Sequence, residues 1–285
     1  MMPLIVLLRF PFIDHALVTA SAVAVAAALS GYFMVCRRMS FAGHALPNIG
    51  FAGAAGAVFV GVEPVYGLFA LTLVAALAMG FLSRDLRDRD VSVGVIMTFA
   101  LGLGFLFLAL YAGYAQRVYG ILFGSILGIS AQAARVTVAA AAGAVCIIAL
   151  IFRPLLFSTF EPDFARARGV PVSLLSVLFL LILAVIASLA VQVMGALLLF
   201  TLLVGPAATA TRLVTRPAAA LGLSVLLGLL YVWVGILVAA ESRILPVSFC
   251  IAALSFVVYL PIRLLFPVGR VHRRAAPSDA RGELA

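Results

Sequence analysis

The longest polar segment of this chain runs Arg153-Pro-Leu-Leu-Phe-Ser-Thr-Phe-Glu161-Pro162-Asp163-Phe164-Ala165-Arg166-Ala167-Arg168-Gly169-Val-Pro171, in a sequence otherwise dominated by apolar residues. Its punctuation predicts a short helix over about 159–169. Pro162 suits a first turn, where a missing N–H costs nothing. Glu161 and Asp163 sit where the helix dipole favours anions, and Arg166 and Arg168 lie toward its negative end. Gly169 and Pro171 supply the stop, while Phe164, Ala165 and Ala167 give the helix an apolar side. The chemistry on offer is contact: a solvated helix between two membrane spans is a part on which a cytoplasmic partner can push. An ordinary loop holding one helical turn fits the same spacing.

Composition fixes the setting. Hydrophobic residues make up 66% of the 285 and charged residues only 10%, against about a quarter charged in a soluble domain. Mean hydropathy is +1.27, as in a polytopic membrane protein. All 19 basic residues are arginine, so a Walker-type ATP site with its phosphate-binding lysine cannot be built here. Energy from ATP has to come from another chain. The net charge of +9 is scattered over the connections between apolar stretches, with no aromatic-interleaved patch, which excludes a nucleic-acid surface. Cys36, Cys146 and Cys250 show no C-x-x-C spacing, so neither a disulfide framework nor a zinc knuckle is indicated. Met1 to Phe12 is apolar but short and lacks a small-residue cleavage site before Asp14, so it is not read as a signal peptide; an interfacial helix fits it.

A crossing needs roughly 20 apolar residues. Charge-free windows predict nine: Ala16 to Cys36, Ala45 to Val62, Pro64 to Ser83, Val91 to Gly113, Val136 to Phe152, Val172 to Val191, Met194 to Thr211, Pro217 to Ala240 and Ile244 to Ile262. The 42 uncharged residues from Val170 to Thr211 are too many for one crossing, which puts a turn near Gln192 to Gly195. Gly120, Gly124 and Gly128 fit either a loop or a re-entrant piece. The expected fold is all-α, a polytopic transmembrane bundle of about nine spans within residues 1–266, followed by a basic, disordered tail at 267–285. With nine spans, 15 arginines fall on the side of the Glu161 segment and the C-terminus and 4 on the other, which makes the former side cytoplasmic. Small residues recur at helical spacing, Ala16, Ala20, Ala24 and Ala28 on the first span, Gly50 with Ala54 and Gly53 with Ala57 on the second. Such rows let helices approach closely in lipid.

Four motifs, in order and spacing, carry a resemblance: Arg37-Arg38-Met-Ser40-Phe-Ala-Gly43-His44-Ala-Leu46, the Glu161 to Pro171 segment, Gln192-Val-Met-Gly195-Ala-Leu-Leu-Leu, and Gly205-Pro206-Ala-Ala-Thr-Ala210. Together the chain resembles the permease subunits of bacterial ABC importers for zinc, manganese or iron ions, over most of its length. The resemblance implies a multi-pass protein of the bacterial inner membrane, working as a pair of like permeases with the path at their interface. It implies a cytoplasmic ABC ATPase dimer gripping a coupling helix with Glu161, Asp163, Ala165, Arg166 and Gly169. It also implies an external metal-binding solute-binding protein, a transported divalent ion and no permanently bound cofactor.

In the family a stretch reading Gly-Asp-Ala-Leu-Ser-His places an acid and a histidine one turn apart as metal ligands. Here the matching positions are His44 and Asn48, with Pro47 in place of the serine. Residues at i and i+4 share a helix face, so both side chains can reach one ion. A polar residue at a span end and a helix-packing amide fit these two as well. Imidazole in place of the acid leans the substrate from manganese toward zinc. Pro47 is tolerated near a helix start, which fits a span beginning there. Gln192 falls at the expected external turn, and Pro206 after Gly205 fits a kink in the seventh span. Glu63 and Glu241 are external acids, and His15 and His272 lie outside the spans. A secondary transporter would need ionisable residues at the bilayer midplane, yet no acid falls in a predicted span. An intramembrane enzyme would need a nucleophile with a base, or an H-E-x-x-H pair.

Overall fold

The computed structural model describes residues 11–82, 89–111, 130–242 and 245–265. These residues form eleven helices and no strand. They are α1 (Pro11–Cys36), α2 (Ser40–Val60), α3 (Pro64–Leu82), α4 (Arg89–Leu110), α5 (Ala131–Leu150), α6 (Phe152–Phe160), α7 (Pro162–Ala167), α8 (Val172–Met194), α9 (Ala196–Leu213), α10 (Pro217–Ser242) and α11 (Val247–Leu265). The expectations for residues 1–10, for 114–129 with its three glycines, for His272 and for the tail at 267–285 lie outside the described residues.

Among the described residues, seven helices are long and apolar enough to cross a membrane: α1, α3, α4, α5, α8, α10 and α11. The expected second and seventh spans are also helices, α2 and α9, but the hydropathy of α2 is diluted by His44, Pro47, Asn48 and its glycines, and α9 is short. Both are held by neighbours rather than by lipid. α2 starts at Ser40, five residues before the expected Ala45, because Ala42, Ala45 and Leu46 are buried against other helices. Pro47 therefore lies inside the helix instead of opening it, where it withholds one backbone donor from the Gly43 carbonyl.

Most of α1 and α8 is buried, whereas α4 and α11 are largely exposed. On one side of this central pair lie α2, α3 and α4; on the other lie α9, α10 and α11, with α5 against α1 and α8. Alanines make the close approach possible. Ala16, Ala20, Ala24 and Ala28 are all fully buried along α1, and Ser224 and Trp233 of α10 donate hydrogen bonds to the Ala28 carbonyl and the Ser21 hydroxyl of that helix. At the α2–α3 crossing, a Cβ added to either Gly53 or Gly67 would run into the other's carbonyl. Gly31 sits likewise on the carbonyl of Leu203 in α9, and Gly104 on Ala52. In lipid such backbone contact supplies the dispersion energy that the hydrophobic effect supplies in water.

Helix ends show where the chain must turn. Gly195, between α8 and α9, has φ 85° and ψ 159°, a region open essentially to glycine alone. This break falls within the expected Gln192 to Gly195 turn. Left-handed residues end three other helical segments, at Arg38 (φ 55°), Gly61 (φ 80°) and Gly169 (φ 79°). For the one non-glycine among them this conformation costs about 1 kcal/mol.

Substituting valine for Gly53 is expected to cost at least ~2 kcal/mol, the scale of overpacking where backbone meets backbone. Gly222→Ala in α10, where an added Cβ meets nothing within 4 Å, should be neutral or stabilising by up to ~1 kcal/mol. Thermal unfolding in detergent distinguishes the two; equal effects would contradict the packing at the α2–α3 crossing.

Candidate functional site

His44 and Asn48 sit one turn apart on α2, both half-buried. The Asn48 side-chain amide donates to the His44 carbonyl at 2.8 Å, and its nitrogen lies 3.5 Å from His44 Nε2. The imidazole meets Phe200 of α9 edge-on, with ring centroids 5.1 Å apart, and has Phe41 on another side at 6.5 Å. The His44 ring thus lies at the α2–α9 seam with the Asn48 amide beside it. No group of three or more His, Cys, Asp or Glu side chains able to hold a metal occurs among the described residues.

The polar segment is two helices, not one over 159–169. Pro162 disfavours helical backbone in the residue before it, and Glu161, with φ −133° and ψ 68°, leaves the helix and separates α6 from α7. Arg153, expected in a loop, lies in the first turn of α6. In the six residues of α7, Ala165 is fully buried and seats the helix, while Asp163 pairs with Arg166 at 3.2 Å on the surface. Phe164 is exposed; its ring meets Phe157 of α6 edge-on, and the Arg168 guanidinium lies 5.1 Å from its centroid. Gly169 closes the segment with a left-handed turn.

Between this segment and α2 lies Arg37, which follows the last residue of α1. Its Nε donates to Thr159 Oγ1 at 2.9 Å, Nη2 to Ser158 Oγ at 2.6 Å and to the Leu155 carbonyl at 3.5 Å, and Nη1 to Ser176 Oγ at 3.2 Å. Its Cζ also lies 5.5 Å from the centre of the Phe179 ring. Each hydroxyl spends its own proton on a carbonyl one turn back, Ser158 and Thr159 on Leu155 and Ser176 on Val172, so its lone pairs are turned toward the cation. One guanidinium joins α6 and α8 to the α1–α2 turn. Sequence reasoning counted Arg37 as a topology charge. The signal it passed over was three hydroxyls, Ser158, Thr159 and Ser176, flanking the polar segment.

The remaining sequence-predicted residues lie elsewhere. Gln192 is half-buried in the last turn of α8, next to the Gly195 break. Since α8 rises about 1.5 Å per residue, both are a membrane thickness away from α7. Pro206 is buried inside α9; beside it Gly205 admits the Ser255 hydroxyl of α11, and the Thr209 hydroxyl donates to the Gly205 carbonyl at 2.7 Å. The structure brings His44 and Asn48 together, and Glu161, Asp163, Ala165, Arg166 and Gly169 together. It does not bring the two groups into contact.

A bundle of membrane-crossing helices with a polar helix pair at one end is the architecture of a multi-pass membrane protein. The chain belongs to the ABC 3 transport family, whose model matches residues 9–265, in agreement with the resemblance carried by the four motifs. It is 31% identical over 257 residues to the manganese transport system membrane protein MntC of Halalkalibacterium halodurans, covering 88% of each chain. It is 26% identical over 235 residues to the high-affinity zinc uptake system membrane protein ZnuB of Haemophilus influenzae, covering 81% of this chain and 89% of that one. Among solved structures it is similar to PsaBC from Streptococcus pneumoniae in complex with Fab, with a TM-score of 0.80 and 25% identity, over 95% of this chain and 97% of that chain.

Arg37→Ala leaves three oriented hydroxyls without their donor, and is expected to destabilise the chain by roughly 2–3 kcal/mol, the range for losing hydrogen bonds to a charged group. Arg37→Lys should recover only a fraction, because an ammonium cannot span three acceptors as a planar fork does. Thermal unfolding of the purified permease checks this; wild-type stability in Arg37→Ala would show that the clamp contributes nothing.

Proposed function

We propose that this chain is the membrane subunit of an ATP-driven importer of a divalent transition-metal ion, zinc being the substrate its own donor atoms favour. The observation that carries the reading is the His44–Asn48 pair at the α2–α9 seam of a chain in a transport family with zinc and manganese members. Two copies facing each other at this seam supply two imidazole nitrogens and two amide oxygens, a four-donor set that suits zinc. An amide oxygen is a weak ligand, so the site holds the ion only in passing. Transit needs that property, since hydrated charge cannot enter hydrocarbon without replacement donors.

The partners follow from the same reading: a second permease copy, an ABC ATPase dimer seated on α7 in the cytoplasm, and a metal-binding solute-binding protein on the external face. A push on α7 reaches Arg37 through α6. From there it passes to His44 by two routes, along the α1–α2 turn and along α8 through Gly195 into α9. A manganese importer is the second reading, favoured by the names of relatives such as MntC and the manganese import system permease protein ScaB of Streptococcus parasanguinis. The acid that the family resemblance places at position 44 suits manganese, whereas the imidazole here suits zinc.

Uptake of radioactive zinc and manganese by the reconstituted complex tests the proposal. His44→Ala is expected to reduce zinc uptake roughly ten-fold, about 1.4 kcal/mol of lost ligand interaction, with little change in thermal stability. Asn48→His should be tolerated or should strengthen zinc binding. Normal zinc uptake by His44→Ala would remove the site assignment, and uptake of manganese in preference to zinc by the wild type would replace zinc with the second reading.

A further inference from the structure

Between α7 and the bundle, the ends of α1, α3 and α8 leave a cavity of about 540 Å³. Arg37, Arg38 and Arg166 line it together with hydroxyls of α6 and α8, and the half-buried Pro162 and Val172 add apolar surface. The charges in it are not equivalent. Arg166 is paired with Asp163, the acid in the lining, and Arg37 is engaged by Ser158, Thr159, Ser176 and Leu155. The Arg38 side chain makes no hydrogen bond or ion pair with any described residue. Among the described residues it is the cation of this cavity without a partner.

The backbone of Arg38 gives a second, independent observation. Three segment ends in this chain close with the same pair of hydrogen bonds. Arg38 N–H donates to Val35 at 3.1 Å and Met39 N–H to Met34 at 2.9 Å; Gly61 to Val58 at 3.1 Å and Val62 to Ala57 at 2.8 Å; Gly169 to Arg166 at 3.0 Å and Val170 to Ala165 at 3.0 Å. In each, the first residue of the pair is left-handed. Two of the three positions hold glycine, the residue for which this turn carries no steric penalty. The third holds arginine against that preference, and Arg37 beside it already supplies the positive charge that topology asks of this turn. A side chain kept at a position that strains its own backbone points to a function outside the turn.

We infer that this cavity binds the phosphodiester headgroup of an anionic phospholipid of the cytoplasmic leaflet, with Arg38 as its principal charge partner. The inference rests on the proposed cytoplasmic placement of α7. The cavity opens at the ends of spans, the level at which headgroups lie, and basic pockets between helices on this side suit them. Its apolar lining distinguishes the lipid from a free anion: the half-buried Pro162 and Val172 give the glycerol and first acyl carbons a surface, whereas inorganic phosphate gains nothing from them. A headgroup here sits between the coupling segment and the bundle, and so stiffens the seat of α7.

The test uses the full-length permease in neutral detergent, without metal, ATP or ATPase, so that its failure leaves the transport reading standing. Native mass spectrometry and thermal unfolding are read after adding phosphatidylglycerol, phosphatidylcholine or inorganic phosphate. The wild type should retain phosphatidylglycerol and gain stability from it, and should gain little from the other two. Arg38→Gly should bind phosphatidylglycerol roughly five-fold more weakly, yet be as stable as the wild type or more so in detergent alone, because the left-handed turn is relieved. Arg38→Lys should keep the preference in part. Undiminished phosphatidylglycerol binding by Arg38→Gly overturns the proposal, as does an equal shift from inorganic phosphate. Should Arg38→Gly fail to insert, Arg38→Lys and Arg166→Gln provide the affinity series, and an unchanged affinity in both counts against the proposal.

Discussion

A half-buried guanidinium at the end of a membrane span needs acceptors from the protein, and the way Arg37 is satisfied organises this end of the molecule. Its acceptors are Ser158 and Thr159 of α6 and Ser176 of α8, with the Phe179 face alongside. Because an unpaired charge at low dielectric costs more than a neutral hydrogen bond returns, these helices do not separate without breaking the whole set. The α1–α2 turn, the seat of α7 and the start of α8 therefore behave as one piece. The two helices flanking His44 both continue from it, α2 directly and α9 through the Gly195 break.

A linkage transmits only if the rods between its joints are stiff. Here stiffness comes from small residues rather than large ones. The buried alanine row of α1, the Gly53–Gly67 contact and Gly31 against Leu203 hold backbones too close to slide without steric conflict. The interruptions are equally local. Pro162 divides α6 from α7, Gly195 divides α8 from α9, and Pro206 removes a rung from the interior of α9. Rigid crossings with local interruptions between them suit a part that moves between discrete arrangements.

Much of this was legible in the sequence because membranes impose long charge-free windows and because proline and glycine mark boundaries. The all-helical class, the turn at Gly195, the alanine row and the polar segment follow from such local rules. The split at Glu161 was legible too, since the residue before a proline avoids helical backbone, but the capping signals on either side suggested a single helix. The start of α2 at Ser40 was not, because that segment is helical through burial against neighbours rather than through its own hydropathy. Nor were the partners of Arg37, which lie 118 to 139 residues away, a pairing that no local pattern encodes. The assignment of His44 and Asn48 rested on spacing and on a family motif that this chain alters at both positions. The structure adds that their side chains meet each other and that the His44 ring meets Phe200.

The claim at the centre of this account is that Arg37 carries the motion of α7 to the ion path. Metal ions transported per ATP hydrolysed, measured on reconstituted complex containing Arg37→Gln, tests it most directly, with thermal stability read on the same sample. The account predicts that hydrolysis continues while transport per ATP falls roughly ten-fold, about 1.4 kcal/mol of lost coupling. A folded Arg37→Gln complex that keeps the wild-type ratio would contradict it.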